Sequence, residues 1–464
     1  MTALGVATGQ IDFTQKETVS WDPRIADLVM FVERERGLTF EHPVRTTFLS
    51  DPDFVDLVQG SDAVDLVDQE AAEQALADET ALYGSLGLTN DSDPAVDQDT
   101  MDEVLFLGFY DPQSDGIIVR GSELTPDIRA VLVHELTHAL QAQHFELPLG
   151  GADDFVIRSL LEGDSIRIED RYVATLSTTA QDQVADANEL DEVDAEQLAD
   201  VSWTVTEARF APYVLGPSFL AIVEAAGGNE AVNDAMRNPP TPVELLDPLR
   251  YLDSTAETDS TFLEPVQSST PPGAESIYLS SPFGLFEAVV MFDAWLPWYE
   301  TRRALDGWDD AAIAVYRVDG VVCSAITIRV NDGPSAADLA LAVRDWSDAT
   351  GSTVQPKIDY SGGGRPEVSF TPCADTDREA PPLPTFTPSW AVDFESSFVQ
   401  DALSAAIGIG PNIARCVARR LVDDETFLEL IDIVEWTSDE DDLYAERVEA
   451  LRVECERFSD PGAL

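Results

Sequence analysis

Two histidines separated by three residues, with a glutamate directly after the first, can share one divalent metal and act on the water beside it. Residues 134 to 138 read His-Glu-Leu-Thr-His, set in the apolar run Val131-Leu132-Val133 and Ala139-Leu140. On a helix, positions four apart lie about 40° apart around the axis, with roughly 5 to 6 Å between Cβ atoms. His134 and His138 can therefore offer both imidazoles to a single ion from one face. Zinc held by neutral nitrogens brings the pKa of bound water towards ~7, and a neighbouring carboxylate, here Glu135, can take the proton as water attacks a carbonyl. The chain holds four histidines, His42, His134, His138 and His144, and three of them fall between positions 134 and 144, which argues against a chance match.

The surrounding sequence must place this helix. Leu105 to Tyr110 and Gly116 to Arg120 are short apolar runs joined by Asp111-Pro112-Gln113-Ser114-Asp115, a hairpin pattern. Thr125-Pro126-Asp127 then supplies a capping hydroxyl, a proline suited to the first helical position and an acid for the first turn. The pattern predicts a helix from about Pro126 to Phe145. Strands leading into a metal-bearing helix fit an α+β, zincin-like core in which an edge strand borders the cleft and can pair with an extended substrate.

A catalytic zinc takes three protein ligands and keeps a position for water, so one further donor is needed. His144 lies six residues after His138, the spacing of metzincin peptidases, but those carry glycine three residues after the second histidine, where this chain has Gln141. Ala139 to Gln143 favour an unbroken helix, which turns His144 about 120° away from His138. The competing donor is Glu162 in Ser159-Leu160-Leu161-Glu162-Gly163-Asp164, within a second helix beginning near Asp153. It interrupts an apolar stretch where a solvated acid is out of place. Glu162 is the expected third ligand, in the gluzincin manner, and Asp164 is a candidate to orient a histidine through its free ring N–H.

The runs GFYDPQSDGIIVRG, VLVHELTHALQAQHF and SLLEGDS together resemble a group of predicted bacterial and archaeal extracytoplasmic HExxH proteins with a gluzincin-like LxEGDA element. The similarity extends through Glu33 to Leu38, Tyr213 to Pro217 and Pro239-Pro240-Thr241-Pro242, about residues 20 to 330. It implies a zinc metallopeptidase acting on a peptide or protein substrate, with zinc on His134, His138 and Glu162. Relatives often carry His-Pro where this chain has Asp247-Pro248. If that histidine steadies the oxyanion, Tyr213, Tyr251 or another donor takes its place here, and Tyr213 is the expected one. The rival from another class is an exported, non-catalytic binding or assembly protein stabilised by zinc.

Composition bounds the rest. With 44% hydrophobic residues the chain can bury a substantial core, and its net charge is −61, with 88 acidic residues against 27 basic ones. Only Lys16 and Lys357 are lysines. Such self-repulsion is screened within a few ångströms in molar salt, which points to a saline setting. No basic stripe exists to neutralise phosphates, so nucleic acid is excluded as a partner. Cys323, Cys373, Cys416 and Cys455 carry no CxxC spacing. They suggest two disulfides in sequential pairing, and with them an extracellular or cell-surface protein whose signal or anchor segment lies outside this numbering. Residues 1 to 20 lack a signal-peptide pattern, and no segment is expected to span a bilayer. The expected divisions are a zincin-like core over 21–252, a linker or surface loop over 253–276 with acidic 51–100 as a lid, a small α+β domain over 277–380 and a helical segment over 395–460.

Overall fold

The computed structural model describes residues 20–60, 82–88, 100–101, 107–145, 154–188, 198, 201, 203–253, 267–277, 283–361, 365–374, 387–404, 407–422, 424, 427 and 438–459. Most of the expected lid over 51–100 and much of the expected linker over 253–276 lie outside these. The chain divides into two compact units, one of 1–80, 89–220 and 229–239, the other of 81–88, 221–228 and 240–464. Most of the expected core belongs to the first unit, while residues 240–252 and everything after them belong to the second.

The first unit is built on a short sheet. Strands β1 (Arg45–Leu49), β2 (Gly108–Asp111) and β3 (Gly116–Arg120) lie in the order β1-β3-β2, with β1 parallel and β2 antiparallel to β3. Ile117-Ile118-Val119 is a continuous apolar run, and accordingly β3 is central and buried. The predicted hairpin is present, with Phe109 opposite Ile118 and Asp111 opposite Gly116. Helix α1 (Ala26–Arg36) ends where Gly37 takes a left-handed conformation, its N–H closing on the Glu33 carbonyl. Helix α2 (Asp51–Gly60) follows β1.

Helix α3 (Pro126–His144) carries the His-Glu-Leu-Thr-His segment, one residue shorter than predicted. Pro126 starts it as expected, whereas Thr125 occupies the cap position without making a side-chain capping bond. Leu132, Leu136 and Leu140 are fully buried, worth about 1.5 to 3 kcal/mol each. They join Leu28 and Val32 of α1, Val119 of β3, and Ile168 and Tyr172 of α4 (Asp154–Thr175) in one core. Val184 of α5 (Thr178–Asn188) closes it. The acidic stretch Gln181 to Asp200, whose sparse Val, Leu and Ala suit a solvated helix, is helical to Asn188, the remainder falling largely outside the described residues.

Helix α6 (Trp203–Arg237) contains Pro212 and Pro217 and is interrupted at Gly228, whose φ is 64°. Its backbone touches that of α4. A Cβ added at Gly163 would lie 2.3 Å from the Gly216 carbonyl carbon, and one at Gly216 would lie 1.9 Å from the Ser159 carbonyl oxygen. Only glycine permits this approach on both sides. Contrary to the expectation of no candidate span, Phe210–Arg237 is long and apolar enough by length and composition to cross a bilayer, with a mean hydropathy of 1.3. Half of that window is buried inside the protein, as in a core helix, and this alone does not establish a membrane span.

In the second unit, α7 (Pro242–Leu246) and α8 (Pro248–Leu252) precede a five-stranded antiparallel sheet of order β4-β5-β6-β8-β7. Its strands are β4 (Glu275–Ile277), β5 (Trp308–Val318), β6 (Val321–Val330), β7 (Lys357–Asp359) and β8 (Glu367–Phe370). Val321 to Val330 and Glu367 to Phe370, which read as strands in the sequence, are β6 and β8, and Ala336 to Ala349, which reads as a helix, lies within α11 (Gly333–Ala349). Phe283 to Leu305, an apolar and aromatic run that reads as one buried helix in the sequence, forms two, α9 (Leu285–Asp293) and α10 (Trp298–Leu305). Pro297 is the reason, since it lacks an N–H and disfavours helical geometry at Leu296. Helices α12 (Thr387–Leu403), α13 (Pro411–Leu421) and α14 (Ser438–Ser459) form the predicted C-terminal helical segment. Both disulfides pair sequentially, Cys323 with Cys373 and Cys416 with Cys455.

Because α4 and α6 meet through bare backbone, Gly216→Ala must push the helices apart. The expected cost is about 1 to 3 kcal/mol or more, seen as a lower thermal midpoint in molar salt. Alanine at Gly333, where the backbone is not left-handed and an added Cβ would meet only the Tyr360 ring at an ordinary 3.9 Å, serves as the control for glycine replacement without a clash.

Candidate metal centre

His134 and His138 leave α3 one turn apart, and Glu162 arrives from α4, which packs beside it. His134 Nε2 lies 3.1 Å from His138 Nε2 and 3.1 Å from Glu162 Oε2, and His138 Nε2 is 3.4 Å from that same oxygen. Ligand bonds of ~2.0 to 2.1 Å in a tetrahedral zinc site give donor-to-donor edges of about 3.3 Å, so this triangle has the dimensions of one face of such a site. The three side chains form a group that could hold a metal ion. They remain 12, 16 and 19% exposed, enough to leave one side of the triangle open to solvent.

The far side of each imidazole is also engaged. His134 Nδ1 is 3.0 Å from Glu169 Oε2, and His138 Nδ1 is 2.9 Å from Gln141 Oε1 and 3.2 Å from Ser165 Oγ. Such outer partners orient a ring and raise its basicity. Asp164, expected to touch a histidine directly, instead accepts from Gln141 Nε2 at 3.1 Å, so its influence reaches His138 through an amide. It is fully buried and receives Arg36 Nε and Arg167 Nη2, each at 2.7 Å.

Glu135 is buried against the sheet, and its Oε2 accepts the backbone N–H of Tyr110 at 2.7 Å. Among the described strands β2 borders only β3, so the carboxylate is tied to an edge strand. His144 does not join the group: α3 continues unbroken through Gln141, and His144 Nε2 sits 2.8 Å from the Thr39 carbonyl oxygen. Tyr213 is half-buried on α6, one turn before Gly216, the residue that touches α4 beside Glu162. Asp247, standing where the resemblance calls for His-Pro, is held by Arg415.

Electrostatics follow from this crowding. Burial disfavours charge on His134, yet its bonds to Glu162 and Glu169 outweigh that and raise its pKa well above that of free histidine. Burial acts likewise on His138, where Glu162 again raises the value. Glu162 would be pushed up by burial, but the two imidazoles hold it far below the usual carboxylate range. Burial raises Glu135, with the histidines and the Tyr110 N–H working against it. For Asp164, burial is outweighed by Arg36 and Arg167, leaving it below the ordinary aspartate value.

Comparisons with protein-family models, curated proteins and solved structures find no match to this chain. The site therefore rests on its own geometry. Of the residues singled out from sequence, the structure brings together His134, His138 and Glu162, with Glu135 on the same helix. Glu169, Gln141 and Arg36 were not foreseen. Glu169 follows Glu162 by seven residues, two turns along one helix face, a spacing that could have marked it. Nothing local marks Arg36.

Two outcomes test this arrangement. Zinc content measured in molar salt is expected to fall sharply in Glu162→Ala and to stay near wild type in His144→Ala; the reverse pattern would remove Glu162 from the site. Because the metal-free histidines hold protons more tightly than free imidazole, a metal must displace those protons. Zinc affinity is therefore expected to fall as pH drops, with net proton release on binding, read by calorimetry in buffers of differing ionisation heat.

Proposed function

We propose that this chain is a zinc-dependent hydrolase, a gluzincin-like metallopeptidase, in which His134, His138 and Glu162 hold the ion. The observation that carries the reading is the near-equilateral set of donors, 3.1 to 3.4 Å apart, in which the two Nε2 atoms come from α3, the helix that also carries buried Glu135, and Oε2 comes from Glu162 on α4. Two imidazoles and one carboxylate are a common zinc donor set, and harder cations prefer more oxygen ligands. When bound, zinc supplies a Lewis acid that polarises a carbonyl and acidifies water to a pKa near ~7.

Glu135 then has a defined task. Its carboxylate takes a proton from water as the oxygen attacks the carbonyl carbon, and it returns that proton to the departing amide nitrogen. The Tyr110 N–H fixes one of its oxygens, which leaves Oε1 for that transfer. Tyr213 is the proposed donor to the developing oxyanion. Its support is its position one turn from the α4–α6 contact, and its role follows the general requirement for a hydrogen-bond donor at that charge.

Peptide rather than other acyl substrates is favoured by β2, an edge strand beside the catalytic helix that can pair with an extended backbone. The two disulfides are compatible with folding in an oxidising compartment, and we assign the protein to the cell exterior or surface. The decisive comparison is hydrolysis of an unfolded protein substrate in molar salt by wild type and by Glu135→Gln. Turnover is expected to fall at least ~100-fold in the variant with zinc content unchanged. If neither protein cleaves while both hold zinc, the ion is structural and the peptidase reading is lost.

A further inference from the structure

We propose that Asp164, acting through Gln141, locks the tautomer of His138 and so keeps the Nε2 lone pair turned towards the metal position, with Arg36 and Arg167 anchoring the lock. The inference rests on the metal-binding part of the reading above and is independent of what the site hydrolyses.

A neutral imidazole ligates through the nitrogen that lacks a proton, so His138 is competent at Nε2 only while Nδ1 carries the hydrogen. Two groups face Nδ1. Ser165 Oγ, at 3.2 Å, is ambivalent, because a hydroxyl can accept from Nδ1–H or donate to a bare Nδ1. Gln141 Oε1, at 2.9 Å, can only accept. The outcome therefore depends on which way round the Gln141 amide stands.

That choice is made on the other side of the amide. Gln141 Nε2 lies 3.0 Å from the Leu161 carbonyl oxygen, 3.1 Å from Asp164 Oδ2 and 3.5 Å from Ser165 Oγ. The first two are acceptors without a proton to give. Turning the amide over would set its oxygen against a carbonyl and an ionised carboxylate, in a place where Gln141 is 2% and Asp164 0% exposed. The NH2 group must face Asp164, the carbonyl must face His138, and the ring hydrogen must sit on Nδ1.

Asp164 needs its charge and its position for this, and both are supplied from a distance. Arg36 of α1 donates to Oδ2 and Arg167 to Oδ1, while Nη1 of each donates to Asn233 Oδ1 and Asn229 Oδ1 of α6 at 2.6 and 2.9 Å. A guanidinium on α1 that touches neither histidine thus sets the orientation of a metal ligand. Arg36, Asp164 and Gln141 are positioning residues, and none is assigned contact with substrate.

Gln141→Met, close in shape but unable to accept or donate, is the informative variant. By chelator competition in molar salt, its zinc affinity is expected to fall about 10- to 100-fold, since Ser165 becomes free to donate to Nδ1 and push the proton onto Nε2. Ser165→Ala added to Gln141→Met should recover most of the loss, a rescue that repacking alone would not produce. Wild-type affinity in Gln141→Met, or a double variant no better than the single one, would overturn the inference. A second measurement stands even if Gln141→Met fails to fold. In the metal-free wild-type protein at alkaline pH, long-range proton–nitrogen correlation should show His138 as the Nδ1–H tautomer, although free histidine favours Nε2–H. Finding Nε2–H would overturn the lock, whereas absent zinc binding by wild type would overturn the metal reading itself.

Discussion

Two imidazoles and a carboxylate held about 3 Å apart, each only partly exposed, form the constraint that the first unit is organised around. Such groups do not gather without something to hold them, because each loses hydration on burial and each perturbs its neighbours' protons. The surrounding structure supplies that restraint at several points. The α3 leucines anchor the helix in the core, Glu169 and Gln141 hold the outer nitrogens, and bare glycine backbone brings α4 and α6 into contact beside Glu162.

The buried ion cluster around Asp164 serves the same end. One aspartate between two arginines is costly to desolvate and is not in itself a strong source of stability. Its value here lies in direction, since a fixed charge in a low-dielectric setting decides which end of an amide points towards His138. The chain's overall charge of −61 works against compactness, and screening by salt relieves it at the surface far more than at this interior site. Surface and interior thus depend differently on ionic strength.

Much of the fold could be read directly from residues. The alternation of turn and apolar segments located β2, β3 and α3, and the strands β6 and β8 were placed residue for residue. The sequential cysteine pairing, preferred from the sequence among three possible connectivities, is the one present. The breaks that were missed have local causes of small size, such as Pro297 dividing α9 from α10, or lie in three-residue strands like β4 and β7, too short to carry a period.

At the site the division is sharper. His134, Glu135 and His138 were legible because helical geometry converts their spacing directly into a shared face, a relation needing no other part of the chain. Glu162 was legible as an acid out of place in an apolar run. That its oxygen meets both rings, that Gln141 continues the helix in order to hold His138, and that Arg36 bears on the site across 128 residues of sequence are decided only by how α1, α3, α4 and α6 pack. Periodicity constrains neighbours on one helix, whereas hydrogen bonds between helices depend on crossing positions that no local pattern encodes.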